Sequence, residues 1–366
     1  MTRTRPRRLI TISAALVGLL LVAGGAFYFS GSYENWRDER SLSAACKGLL
    51  SKEDTRSVLG GRQAYAQQDH QFDYLFSKDG NNGRIADCVL KGRKAHSVVA
   101  VDVRWSSKTR APLKTLASEL QQNPRTGTVP MGSGWPGSIA SDDDQLFGIV
   151  ELTCRNKPDE SLLVSSRVLY LDADDESRAG LARFTTVAAK NAAERVGCDA
   201  AVGKDIGNVA PAPDRNPVQI GKATGTCAPV IALGAGAEQA GAVSAADAPS
   251  DPHAPAEDCS LTDAHGNQLY QLTASYGSLA ENMRRGSREF EATDESGFNE
   301  EGHRGYGSAQ CATSGKRSFY TLKAVSRGAG KGLTVKAPDP HFERAALKAF
   351  AEQSAKTHGC RDVKLP

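Results

Sequence analysis

The sequence predicts an α+β protein: an N-terminal transmembrane helix followed by two tandem, duplicated domains, each an antiparallel sheet with helices and two disulfides. Three observations predict it. An uncharged run of membrane-spanning length lies near the N-terminus, eight cysteines fall into two sets of four, and two matched amphipathic helices each end in glycine followed by cysteine.

The uncharged run extends from Leu9 to Phe29, and about 20 helical residues suffice to cross a hydrocarbon core. Arg3, Arg5, Arg7 and Arg8 precede it, which places the N-terminus in the cytoplasm, while Phe27, Tyr28 and Phe29 suit the opposite interface. A cleaved signal peptide ending in the small residues Gly24 to Ala26 is the rival reading. The anchor reading divides the chain into a cytoplasmic basic tail (1–8), a transmembrane anchor (9–29), a juxtamembrane linker (30–42), an extracytoplasmic repeat (43–205), a linker (206–222) and a second repeat (223–366). The expected address is the cell membrane, single-pass, with the bulk of the chain outside. No cysteine stands near the end of the run, which excludes a lipoprotein anchor.

Charge narrows the partners. The chain carries a formal +3, and without the four N-terminal arginines it holds 41 basic against 42 acidic side chains. Phosphate binding needs a concentrated basic surface, so a nucleic-acid partner is not expected. The expected partners are the membrane, through the N-terminal helix, and an envelope protein or cell-wall component.

All eight cysteines lie beyond the apolar run, and an even number outside the cytoplasm reads as disulfides. The sets are Cys46, Cys88, Cys154, Cys198 and Cys227, Cys259, Cys311, Cys360. Their contexts match. Ala-Asp-Cys88-Val-Leu parallels Glu-Asp-Cys259-Ser-Leu, and each third cysteine is followed by a polar turn and a strand, at 161–170 and 318–325. The stripe Leu181, Phe184, Val187, Ala188, Ala192, Val196 parallels Phe342, Ala345, Ala346, Ala349, Phe350, both at helical spacing. Asp339-Pro340 opens the second helix as a cap and N-terminal proline. Gly197 and Gly359 stand at left-handed cap positions just before Cys198 and Cys360. Four cysteines allow three pairings per set. The preferred set is Cys46–Cys88, Cys154–Cys198, Cys227–Cys259 and Cys311–Cys360, because each third cysteine abuts a strand over which the last helix should dock.

Within repeat one, Ser51 to Asp54 is a capping-box start of a short helix that stops at Gly60-Gly61. Strands are expected at 72–76, 87–90, 97–105, 149–153 and 162–171, with a helix over 108–120. Val99, Val101 and Val103 alternate with Ala100, Asp102 and Arg104, the pattern of a half-buried strand. Repeat two has lost most of the first helix, and residues 234–256 read as a loop.

The opening Cys46-Lys-Gly-Leu-Leu, the capped helix from Ser51, and a cysteine before a strand resemble small actinobacterial envelope domains of unknown function, some of them lipoproteins with a PsbP-like sandwich. The resemblance covers about 60 residues of repeat one. It implies an envelope location and a PsbP-like core, and brings no catalytic residues. The chain departs from the pattern in lacking a lipobox cysteine and in having Val89-Leu90 after Cys88.

No catalytic constellation emerges. There is no Gly-x-Ser-x-Gly elbow and no His-Glu-x-x-His. His253, His265, His303, His341 and His358 are scattered and read as solvated surface histidines. Asp142 to Asp144 and Asp172 to Glu176 fit no EF-hand loop, the second lying where acids favour a helix dipole. Gly234 to Gly241 has the wrong spacing for a nucleotide loop. No cofactor or metal is therefore expected. Trp135-Pro136 among glycines forms either an exposed contact loop or a tryptophan folded back on its domain, and the second is preferred. The function expected is a non-enzymatic binding or scaffolding protein. Its alternatives are an accessory or sensor subunit of an envelope transport or secretion system, and an envelope hydrolase whose site assembles from distant residues.

Overall fold

A computed structural model describes residues 32–59, 64–67, 83–92, 97–106, 127–142, 145–157, 160–170, 174–286, 295–312, 317–327 and 332–366, with scattered positions between 21 and 30. The expected strand at 72–76, the helix over 108–120 and Gly60-Gly61 lie outside these residues.

Helix α1 (Ser32–Ala44) stands where a linker was expected. Leu42 is buried in the core of the first repeat, and Ser41 Oγ accepts the Ala66 N–H at 3.1 Å, tying the helix to the sheet edge. A 3₁₀ turn (Ala45–Gly48) carries Cys46. Helix α2 (Lys52–Val58) opens on the expected capping box: Ser51 Oγ accepts from Asp54 N at 3.1 Å and Asp54 Oδ2 from Ser51 N at 3.2 Å, which satisfies two otherwise orphaned donors.

The first sheet is antiparallel throughout. Its strands are β1 (Ala64–Gln67), β2 (Arg84–Gly92), β3 (Val98–Trp105), β4 (Gly127–Pro130), β5 (Gly137–Asp142), β6 (Gln145–Thr153) and β7 (Ser161–Leu169), in the order β1-β2-β3-β7-β6-β5-β4. Helix α3 (Asp175–Val196) covers one face. Asp174 caps it by accepting Ser177 N–H at 2.7 Å, a bond that lowers the carboxyl pKa, and Gly197 ends it in the left-handed region. Leu181, Phe184, Ala188 and Ala192 bury that face against Val99, Val101, Leu146, Val150, Val164 and Val168.

The second repeat repeats this plan. After β8 (Val218–Gln219) come the short helices α4 (Ala228–Ile231) and α5 (Ala235–Gln239), then β9 (Ser244–Asp247), β10 (Ala256–Thr262), β11 (Gln268–Ser275), helix α6 (Gly277–Gly286), β12 (Gly297–Asn299), β13 (Arg304–Cys311), β14 (Arg317–Ala324), helix α7 (Pro340–Thr357) and β15 (Cys360–Lys364). The order β9-β10-β11-β14-β13-β12 matches β1-β2-β3-β7-β6-β5, with β8 added at one edge and β15 beside β13. Registers match as well. Cys88 faces Val101 and Cys259 faces Leu272; Val101 faces Ser166 and Leu272 faces Leu322; Ser166 faces Gly148 and Leu322 faces Gly305. The four disulfides are Cys46–Cys88, Cys154–Cys198, Cys227–Cys259 and Cys311–Cys360.

Three expectations are corrected. The transmembrane helix is the first: among the described residues no helix is long and apolar enough to cross a membrane, and most of 9–29 lies outside them. The long helices that are described, α3 and α7, carry charges such as Glu194, Arg195, Lys348 and Glu352 on the face away from their sheets, so their apolar stripes serve sheet packing. The second concerns 234–256, which holds α5 and β9 as well as loop, since alanine favours helix. The third concerns β3, which is buried on both faces, its two charged side chains Asp102 and Arg104 being paired with each other.

The second faces of the two sheets meet each other. Ala140, Phe147, Ile149 and Leu163 of the first pack with Ala256, Tyr306 and Phe319 of the second, and Leu279, Ala280 and Met283 of α6 fill the gap. The result is four layers: α3, first sheet, second sheet, α7. Segment 206–222, expected as a linker, is docked into this body, with Ile206 and Ala212 buried and the Ala210 carbonyl held by Arg178 at 2.8 Å.

Candidate functional site

Side chains alternate across a strand, so β10 sends Ala256 and Asp258 to the sheet–sheet interface and Glu257, Cys259 and Leu261 toward α7. Glu257 is 4% exposed and lines a cavity of about 370 Å³. Helix α7 supplies Phe350, Gln353 and Ser354 to the same cavity; Thr224, Gly225, Thr226, Ala228 and Pro229 form another wall, and Ser250 completes the lining.

The wall is built locally. Asp247 of β9 accepts the N–H groups of Thr224, Gly225 and Cys227, each at 2.8 Å, and the Cys227–Cys259 disulfide staples that turn to β10. A Cβ at Gly225 would lie 2.0 Å from the Ala248 carbonyl oxygen, so only glycine allows this approach.

Glu257 is bound on several sides. Ser250 Oγ donates to Oε1 at 2.7 Å, Ser354 Oγ donates to Oε2 at 2.5 Å, and His358 Nε2 stands 3.3 Å from Oε1. Tyr276 O–H bonds Ser354 Oγ, and its ring stacks on His358 with centroids 3.6 Å apart. Burial pushes the Tyr276 phenol well up, which keeps it a donor.

A second polar cluster lies further along α7. Glu343 is fully buried, and His303 Nδ1 sits 3.1 Å from both its oxygens. Burial raises the Glu343 carboxyl and also raises the phenol of the neighbouring Tyr270.

The first repeat is an internal control. Matching the copies through their cysteines and registers, Glu257, Ser354 and His358 correspond to Ala86, Ala192 and Val196, and Tyr276 to Trp105. Glu343, His303 and Tyr270 correspond to Leu181, Leu146 and Val99. Ala86, Ala192, Leu181, Leu146 and Val99 are all buried core residues. The scaffold therefore closes without these polar groups, and burying them costs desolvation free energy. Buried polar groups that the matched copy lacks make this network the candidate functional site.

Sequence reasoning missed this site. Two of the five histidines read as solvated are packed instead: the side chains of His303 and His358 are 16% and 5% exposed, because a strand start and a helix end bring each against a carboxylate. His253, His265 and His341 are exposed. A usable signal existed in the Glu257/Ala86 and His358/Val196 exchanges at fixed distances from matched cysteines. Trp135 is 5% exposed and donates its indole N–H to the Lys204 carbonyl at 2.7 Å, so the loop is folded back. Of the acidic clusters, Asp142 ends β5 and Asp174 to Glu176 open α3, while Asp143, Asp144 and Asp172 lie outside the described residues. The eight cysteines stand apart from the cavity except Cys227–Cys259, which frames it.

No protein-family model matches this chain, and no curated protein or solved structure matches it; the PsbP-like resemblance rests on the residues quoted for it.

Proposed function

We propose that the chain is an extracytoplasmic binding protein in which the first repeat is scaffold and the second carries a small-molecule pocket. The observation that carries this is the exchange of apolar side chains in repeat one, two of them buried core residues, for the Glu257, Ser354, His358 and Tyr276 network beside a cavity in repeat two. Four disulfides suit an oxidising compartment.

Binding fits the geometry better than acyl transfer. Ser354 has a carboxylate neighbour, but a nucleophilic serine also needs N–H donors for the oxyanion. The N–H groups on the facing wall, those of Thr224, Gly225 and Cys227, are already spent on Asp247. The cavity volume lies in the range of small-ligand sites.

Ligand-observed NMR of the oxidised full chain against a fragment library tests the reading. Hits should vanish in Ala228→Trp, which fills the cavity, and persist in Ser133→Ala on the exposed loop of repeat one. A hit set unaffected by Ala228→Trp, or an absence of hits, overturns it.

A further inference from the structure

Resting on that pocket reading, we infer that the cavity of the second repeat takes a cationic ligand, a primary ammonium carried on a small apolar body.

Polarity of the lining decides the sign. Of the ten described residues around the cavity, Glu257 is the one with a charged side chain, and neither lysine nor arginine is among them. An anion would meet that carboxylate with no lysine or arginine among the described lining residues to compensate it. The backbone N–H groups that would otherwise receive an anion at the 224–227 turn are held by Asp247.

Hydrogen-bond capacity points the same way. Glu257 Oε1 accepts the Ser250 hydroxyl and has His358 Nε2 at 3.3 Å, whereas Oε2 accepts only the Ser354 hydroxyl, and a carboxylate oxygen has two lone-pair sites. An N–H donor approaching from the cavity completes the set. The Thr226 hydroxyl is committed to the Asp258 carbonyl at 2.6 Å and does not compete. His358 lies beneath the carboxylate, stacked on Tyr276, and is not among the lining residues.

The rest of the cavity sets the body of the ligand. Phe350, Pro229 and Ala228 give an apolar wall, against which a ring or short alkyl chain loses water favourably. Phe350 also offers an aromatic ring to a cation.

The test uses three isosteric probes on the oxidised full chain at neutral pH: benzylammonium, benzyl alcohol and benzoate. Benzylammonium should bind roughly tenfold or more tightly than benzyl alcohol, since charge-assisted bonds are about twice as strong as neutral ones, and benzoate should not bind. Glu257→Gln should erase the preference for the ammonium. Because that change touches a buried network, Ala228→Lys serves beside it: it adds a cation at the wall, leaves Glu257 and its partners intact, and should expel benzylammonium. Equal binding of the alcohol, preference for benzoate, or benzylammonium silence while library fragments still occupy the cavity overturns the cation inference and spares the pocket. Loss of every cavity hit overturns the pocket reading itself.

Discussion

At the scale of single residues, the second repeat maintains carboxylates where the first maintains hydrocarbon. Removing one partner from a buried pair leaves the other uncompensated, whereas replacing both with apolar groups of similar volume is neutral or stabilising by about 1–4 kcal/mol. We therefore expect Glu257→Met with His358→Phe to equal or exceed the native chain in urea unfolding while abolishing ligand binding. His358→Phe alone should cost about 1–3 kcal/mol. A double variant less stable than the single would show the network to be structural. Asp258 makes a different prediction. It is 2% exposed at the sheet–sheet interface and accepts the Thr128 N–H at 3.3 Å. Burial raises its carboxyl well above the ordinary 3.8, with the charges of Asp214 and Glu257 adding to the rise. A raised carboxyl pKa means that the folded state holds the proton longer than the unfolded chain. Its contribution to stability is complete below pH 3.8 and is lost as pH rises through the folded-state value. Asp258→Asn, whose amide oxygen still accepts from Thr128, should flatten that decline and raise stability at neutral pH, read from unfolding midpoints across pH 4–8.

At the scale of elements, the two repeats share their caps as well as their faces. Glu151 of β6 accepts the Ser278 N–H at 2.9 and 3.0 Å and the Ser278 hydroxyl at 2.7 Å, so a strand of the first repeat caps α6 of the second. Gly277 makes this possible: its φ is +58°, and a Cβ there would lie 2.7 Å from a Glu151 oxygen. Loss of a capping side chain costs about 0.5–2 kcal/mol. Glu151→Ala should fall in that range and raise amide exchange chiefly in the first turn of α6. Exchange unchanged in α6 would show the cap to be dispensable. The paired disulfides do equivalent jobs in both copies, one joining the entry segment to the second strand and one joining the β6 or β13 end to the residue after the long helix. Deleting Cys227 and Cys259 together should cost about 2–4 kcal/mol and loosen the 224–229 wall of the pocket, measured by unfolding and by ligand affinity.

At the scale of the whole molecule, the sheet–sheet contact decides cooperativity. Phe147, Ile149 and Leu163 of the first repeat pack with Phe319 and Met283 of the second, and Ser138 Oγ reaches across to the Ala256 carbonyl at 3.1 Å. Exposing that apolar surface would cost each repeat part of its stability. The described body should therefore unfold in one calorimetric transition. Phe147→Asp, which buries an unpaired charge in the contact, should split it into two. A native chain that already shows two transitions would mean the repeats fold independently.

The duplication, the disulfide-bonded character and the long helices were legible in the sequence because they depend on local rules. Cysteine context, apolar spacing, Asp339-Pro340 and the Gly-Cys endings each act within a few residues, and α3 and α7 formed where those signals stand. The sequence left three cysteine pairings open per set, and packing chose one. It also offered a membrane-spanning length that no described helix fulfils. Tertiary structure alone decided which side chains share a site. Glu257, Ser250, Ser354, His358 and Tyr276 come from a strand, a loop, a helix, its end and a second strand's exit, so no spacing within one element could announce them. Tertiary structure likewise turned two tandem repeats into one body. Alternation along β6, β10 and β14 gives each sheet two buriable faces; the long helices α3 and α7 cover one of each, and the remaining pair bury their apolar area by closing on one another around α6.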